Sequence, residues 1–435
     1  MRTILLSVLL VLSVAGCTFE KAEAPFPSEG LEISKVISAF RVNFDMLEEK
    51  GKLYMAYYDD RHQMTLATYD VSSGKQDYQI LPSKIGWDTH NYVTMAFDKD
   101  GYLHLSGNMH SSKLVYFRSS KPYDIHSMQP VHKMTGIEES RTTYPAFMES
   151  PEGELIFHYR TGGSGNGAEI YNVYDCTTKT WRRLIDQPLI DGKGEMNAYM
   201  YGPVIGNDGY YHLIWVWRDT ADCSTNHTLS YARSKDLLHW ETISGERTDL
   251  PITFDKTNFY VDPTPAKGGL FNPAIKLGFD SSNNPIIGYF KYDEDGNNQI
   301  FVARYDNGVW HKSQLTHWDY RWQFEGYGSM KNEIMVFSPV VYRPGEMTIR
   351  YEHIKEGSGE IIFDSHTLQK IGEKDVTRYY PEEYDKVTSS FPGMRVSVLC
   401  VGDYLLRWEH LPPNRDNKPQ GALPDASRLM LYKVK

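Results

Sequence analysis

YYHLIWVWRD, running from Tyr210 to Asp219, decides how the rest of the chain reads. It is a short apolar and aromatic run that opens after a Gly turn and ends on a charged pair, which is the signature of a buried strand. Six relatives of it recur along the sequence. They are KLYMAYYDD from Lys52, YLHLSGNMH from Tyr102, ELIFHYRTG from Glu154, PIIGYFKYD from Pro285, MTIRYEHI from Met347 and YLLRWEHL from Tyr404. Each follows a turn rich in Gly, Asn or Asp, and long amphipathic helical periodicity is absent. Anchored on Leu53, Leu103, Leu155, Tyr211, Ile286, Thr348 and Leu405, the units repeat every 50 to 75 residues, and the longest interval contains an insertion from Glu241 to Leu270. Seven units of that size suit four-stranded blades in a ring. The expectation is an all-β, seven-bladed β-propeller over residues 30–435; a pair of β-sandwiches is the competing architecture.

Working outward, two later segments carry a degenerate aspartate-box turn: Ser234-Lys235-Asp236 with Trp240, and Asp306-Asn307-Gly308 with Trp310. There an Asp caps a hairpin over a packed Trp, a fold marker without chemistry of its own. Toward the start, Met1-Arg2 precedes the apolar run ILLSVLLVLSVAG, which ends at Cys17. The run is too short to span a bilayer comfortably, and small residues before a single Cys resemble the bacterial lipobox. Residues 1–16 read as a lipoprotein signal peptide, Cys17 as the lipidated residue, and 17–29 as a tether. This predicts an exported protein anchored in the cell envelope by lipid, in the periplasm or at the outer membrane.

Composition narrows the partners. The formal charge of −10 makes nucleic acid an unlikely ligand, while 31 Tyr and 9 Trp supply rings that stack on sugars. Cys176, Cys223 and Cys400 form no disulfide framework. No organic cofactor motif is present, and the chain reads as a monomer.

The repeat register singles out polar residues. Asn108 and Arg160 share one offset from their anchors, and His110 and Arg218 share another of the same parity. Side chains alternate along a strand, so the four are expected to converge at one end of the ring. The bland alternative is a solvated strand end lining a wet channel. His90, in Trp87-Asp88-Thr89-His90-Asn91, and Tyr144, in Arg141-Thr142-Thr143-Tyr144-Pro145, sit in the entry segments of neighbouring units. A separate set, His212, Cys223 and His227 with His158 as a fourth ligand, offers soft thiolate and imidazole donors suited to a structural zinc.

The run DTHNYVTMAFDKDGYLHLSGNMH, followed by RTTYPAF, HYRTGGSGNG, WRDTADCSTNHTLSYARS and LLRWEHLPPNRD, resembles the BNR-repeat-containing family, which includes the seven-bladed ulvan lyases. The resemblance implies a catalytic set of His90, His110, Tyr144 and Arg160. It adds Tyr201, with Tyr199 two residues earlier an equally placed competitor, while Asn108 and Arg218, singled out by the repeat register, read as substrate-binding helpers. It implies a polysaccharide lyase acting by β-elimination at a uronic acid in an acidic polysaccharide. An Arg beside the carboxylate acidifies the neighbouring C–H, and a His and a Tyr exchange the protons. In that reading Arg160 meets the carboxylate, His90 and Tyr144 are the base and acid, and His110 binds or transfers a second proton. Three rivals follow from the same residues. A hydrolase of rhamnose–glucuronate linkages would give a product without ultraviolet absorbance. A surface glycan-binding lipoprotein would leave the glycan unchanged. A sialidase would need an arginine triad and a Tyr–Glu pair, and has no use for two histidines.

Overall fold

The computed structural model describes residues 26–434; Met1–Gly16 and Cys17 lie outside the described residues. Among the described residues the protein is all-β, with helix restricted to single 3-10 turns. Among the described residues the strands form seven antiparallel sheets of four or five strands, taken in chain order. Every anchored run is an interior strand of its sheet, paired on both edges: Lys52–Tyr58, Leu103–Gly107, Leu155–Gly163, Tyr211–Arg218, Pro285–Tyr292, Glu346–His353 and Tyr404–His410. Their continuous apolar character has a simple cause. A strand inside a sheet that is covered on both faces has no solvent side on which to alternate. Tyr211–Arg218 is buried at every position.

Consecutive sheets share their cores. Ile156, Tyr171 and Val173 of the third sheet pack with Trp215, Trp217 and Trp240 of the fourth. Ile214 and Tyr231 of the fourth meet Ile287 and Tyr289 of the fifth. Leu406, Trp408 and Leu431 of the seventh belong to the same cluster as Leu53, Met55 and Leu66 of the first. Each fully buried Ile, Leu or Phe in such a layer contributes about 1.5–3 kcal/mol. The seventh sheet is completed by the start of the chain: Leu31–Val36 pairs antiparallel with Ser427–Lys433. Phe26 already packs edge-on against Tyr69 and Tyr404, so the expected tether is docked by residue 26 rather than by 30.

The insertion folds back on its own sheet. Tyr260–Asp262 pairs with Asn226–Ser234, and Ile252 and Phe259 enter the core between the third and fourth sheets. The aspartate-box reading holds at Asp236, whose Oδ1 accepts from the backbone N–H of Leu238 and His239 at 2.9 and 2.8 Å above the fully buried Trp240.

Candidate active site

Three local departures from regular strand geometry aim side chains into one cleft of about 1100 Å³. The first is an Asx turn before the second sheet. Asp88 Oδ1 accepts the His90 backbone N–H at 2.9 Å, which fixes the His90 ring beside the same carboxylate. The second is a change of sheet. The chain leaves the second sheet after Gly107, and His110–Ser112 pairs with the first strand of the third sheet, placing His110 opposite Thr143. The third is a bulge in that strand between Thr143 and Ala146. Tyr144 sits there at φ +57°, a left-handed conformation that costs a β-substituted residue about 1–3 kcal/mol and turns its ring out of the pleat.

Asp88 joins the two histidines. Its Oδ1 lies 2.8 Å from His90 Nδ1 and its Oδ2 lies 2.6 Å from His110 Nδ1. The imidazole rings stack with centroids 4.0 Å apart. Asp416 Oδ2 approaches His90 Nδ1 at 3.4 Å from the opposite side. Burial alone would drive His90 toward its neutral form, but the hydrogen bonds and charges of Asp416 and Asp88 outweigh it and raise the imidazole to about 9. Burial likewise opposes ionisation of Asp88, yet the bonds from His110 and His90 hold its carboxyl far below the usual range.

Across the cleft lies a tyrosine–arginine cluster. The Tyr144 ring is 5.8 Å from His90 and 6.0 Å from Tyr199, centroid to centroid. The Arg218 guanidinium stacks 3.9 Å over the Tyr199 ring and also donates to its hydroxyl at 2.9 Å. Ser164 Oγ is 2.6 Å from the same hydroxyl. Burial works against a Tyr199 phenolate, but the charges of Arg218 and Arg160 bring the phenol below its ordinary value. Tyr144 behaves in the opposite way: burial, reinforced by Tyr199, pushes it well above, against the pull of Arg160 and Arg218. The two neighbouring phenols are thus shifted in opposite directions, Tyr199 down and Tyr144 up.

Several expected residues stand elsewhere. Arg160 is fully buried behind the cleft wall, 4.9 Å beneath the Tyr144 ring, and donates to Thr143 Oγ1 at 3.1 Å. Arg218 retains 7% exposure and lines the cleft, so of these two arginines it is the one open to a carboxylate. Asn108 does not converge with the others. Its φ of +59° ends the strand and breaks the alternation on which the offset argument rests. Its amide turns back to the first sheet, donating to Ser83 Oγ at 2.9 Å. Tyr201 lines the cleft farther along, with its hydroxyl 2.9 Å from Ser338 Oγ and Lys276 over its ring, so Tyr199 and not Tyr201 joins the arginines. Glu169, Lys276, Asn272 and Asp416 also line the cleft and went unread in the sequence. Asp88 was legible there as the Asp two residues before His90. Burial lifts Glu169 to about 7, against the nearby Arg160 charge, and lowers Lys276 to about 8.

The zinc set is not assembled. His212 and His227 lie at opposite ends of one strand pair, His212 opposite Arg233 and His227 opposite Trp217. Each has found another partner: His212 bonds Tyr231 at 2.6 Å, and His227 bonds Asp219 at 2.9 Å. Cys223 lies in a 3-10 turn among apolar residues, and His158 stacks on Tyr171 with its Nδ1 unpaired. Parity along the strands was satisfied, but distance along them was not. Among the described residues the donor atoms that do gather are those of Asp88, His90, His110 and Asp416.

Known proteins share both sequence and architecture with this chain. The ulvan lyase short isoform of Alteromonas sp. (strain LOR) is 41% identical over 122 residues, 26% of this chain and 23% of that protein. The long isoform of Pseudoalteromonas sp. (strain PLSV) is 37% identical over 71 residues, 16% of this chain and 7% of that protein. The matches thus span about a quarter or less of the curated relatives' length. The solved polysaccharide lyase Uly1 superposes with a TM-score of 0.58 at 16% identity, covering 95% of each chain. A PL25 ulvan lyase bound to -[GlcA(1-4)Rha3S]- gives 0.59 at 13% identity, covering 93% of this chain and 95% of that one. These structures share the fold. The profile of the BNR repeat-containing family matches residues 52–318, more than half of the sequence, and the chain belongs to that family.

Proposed function

We propose that the protein is a polysaccharide lyase that breaks the bond to a uronic acid by β-elimination. The observation that carries this is the polarity of the cleft: Tyr199 gripped by Arg218 on one side, His90 held by Asp88 and Asp416 on the other, and Tyr144 between them. The uronate carboxylate pairs with the Arg218 guanidinium, which withdraws charge and acidifies the C–H beside it. The Tyr199 phenolate takes that proton. The released electron pair forms the carbon–carbon double bond, the C–O bond to the neighbouring sugar breaks, and the His90 imidazolium protonates the departing oxygen. Tyr144, which holds its proton, is the second donor within reach. Asp88 keeps His90 charged and ties it to His110.

The ulvan lyase relatives make a rhamnose–uronate glycan the first substrate to try. The experiment is a screen of uronate polysaccharides, ulvan first, with ultraviolet detection of unsaturated product and mass spectrometry. Saturated oligosaccharides would mean hydrolysis, and intact polymer would mean binding alone.

The seven sheets are proposed to be the blades of one closed ring. Support comes from the core shared by the first and seventh sheets and from the chain start paired into the last sheet. Membrane attachment through Cys17 is proposed from sequence; Cys17→Ser should release the protein from the membrane fraction.

A further inference from the structure

We propose that Tyr327 is a stacking platform for a sugar ring of the substrate, in the cleft that holds His90 and Arg218. This rests on the glycan-cleaving reading above. Tyr327 lines the same cleft as His90 and Arg218, yet it is 76% exposed. Among the described residues its ring is in no ring–ring or cation–ring pair, unlike Tyr144, Tyr199 and Tyr201 around it. Exposure alone says little, since single exposed aromatics are common. The backbone beneath this ring is what sets it apart.

That backbone is clamped from both walls of the cleft. On the Arg218 side, the Gly326 N–H donates to Asp222 Oδ1 at 2.7 Å, and Gly326 O accepts from the Cys223 N–H at 2.9 Å. From beneath, Arg415 Nη1 donates to the carbonyls of Glu325 and Tyr327 at 2.8 and 3.1 Å. On the His90 side, the Ser329 N–H donates to Asp416 Oδ2 at 3.1 Å, and Ser329 Oγ lies 3.4 Å from His90 Nδ1. Gly326 and Gly328 flank the tyrosine at φ +83° and +75°. A Cβ at Gly328 would come within 2.7 Å of the Arg415 backbone, so only glycine lets the two segments pack this closely. The segment bridges the cleft mouth from one catalytic wall to the other and holds one free aromatic face toward solvent.

A rigid ring costs little entropy to engage, and its face suits an apolar, C–H-bearing surface with polar groups around the edge. The C–H face of a pyranose is such a surface. Ser329 touches His90, and Tyr327 is two residues earlier, within about 7 Å along the backbone. That short separation ties the platform to the wall of the cleft that carries His90.

The test uses Tyr327→Ala and Tyr327→Phe in the full chain. On ulvan, Tyr327→Ala should raise KM about tenfold, ~1.4 kcal/mol, with kcat changed less than about twofold. Tyr327→Phe keeps the face and should match wild type. In a His90→Ala background, calorimetry with GlcA(1-4)Rha3S oligosaccharides should show the same tenfold rise in Kd for Tyr327→Ala. Unchanged KM and Kd in Tyr327→Ala, with wild type cleaving ulvan, overturns the platform and leaves the lyase reading standing. Wild type that binds without cleaving defeats the lyase reading, and the Kd comparison still decides the platform. Wild type that neither binds nor cleaves overturns both.

Discussion

Arg218 holds Tyr199 twice, through its ring face at 3.9 Å and through its hydroxyl at 2.9 Å. Such a grip favours the phenolate. In the proposed mechanism Tyr199 is the base. Tyr199→Phe should lower kcat by about 10²–10⁴-fold with little change in melting temperature. Arg218→Met leaves the phenol but removes the charge that lowers its pKa, so the rising limb of the pH–rate profile should move to higher pH. A profile that keeps its position would show that Tyr199 is not the base.

His90 makes the complementary prediction. Its pKa rises from 6.5 to about 9 on folding, so the native state holds this proton more tightly than the unfolded chain. The resulting stability is fully present below about 6.5 and is lost as pH climbs through about 9. Activity should fall over the same upper range as the imidazolium disappears. Asp88→Asn removes one of the two carboxylates and should move that alkaline limb downward. Melting curves and kcat/KM collected from pH 6 to 10 check both statements.

Glu169 runs against the usual carboxylate pattern. Burial raises it from 4.5 to about 7, so the native state binds the extra proton between those values and stability declines as pH rises through the window. Glu169→Gln abolishes the cost of ionising a buried group and should stabilise the protein at pH 8 by roughly 2–3 kcal/mol. Chemical denaturation of both forms at pH 5 and pH 8 tests it; equal gains at the two values would remove Glu169 as the cause.

Arg160 and Arg218 should separate cleanly. Arg160 is sealed behind Tyr144 with its Nε unpaired, so Arg160→Met should disturb melting temperature and activity together. Arg218→Met should strike activity first. If Arg160→Met melts like wild type and loses only turnover, the guanidinium reaches substrate by moving the tyrosines aside.

Which features the sequence disclosed follows from the kind of information each needs. The seven apolar runs were readable because strand periodicity and doubly covered burial write directly into residue order. His90, His110 and Tyr144 were readable because they flank those runs. The errors came where backbone geometry breaks the period. Asn108 leaves the strand at a positive φ, and no parity argument survives that. The zinc set failed for want of distance, since two histidines of suitable parity can still stand at opposite ends of a strand pair. Asp416 and Glu169 were invisible for a third reason. Asp416 comes from the far end of the chain, and Glu169 matters through burial, neither of which residue order reports.

The pairing of Leu31–Val36 with Ser427–Lys433 also has a consequence for how the molecule is made. Glu32 and Arg428, 396 positions apart, sit side by side in that sheet. Leu31–Val36, the first strand among the described residues, must therefore wait with its edge uncovered until Ser427–Lys433 has been synthesised. An open edge of this sort invites pairing with other nascent chains. The demand for chaperoning therefore falls on Leu31–Val36 for as long as Ser427–Lys433 has yet to be made.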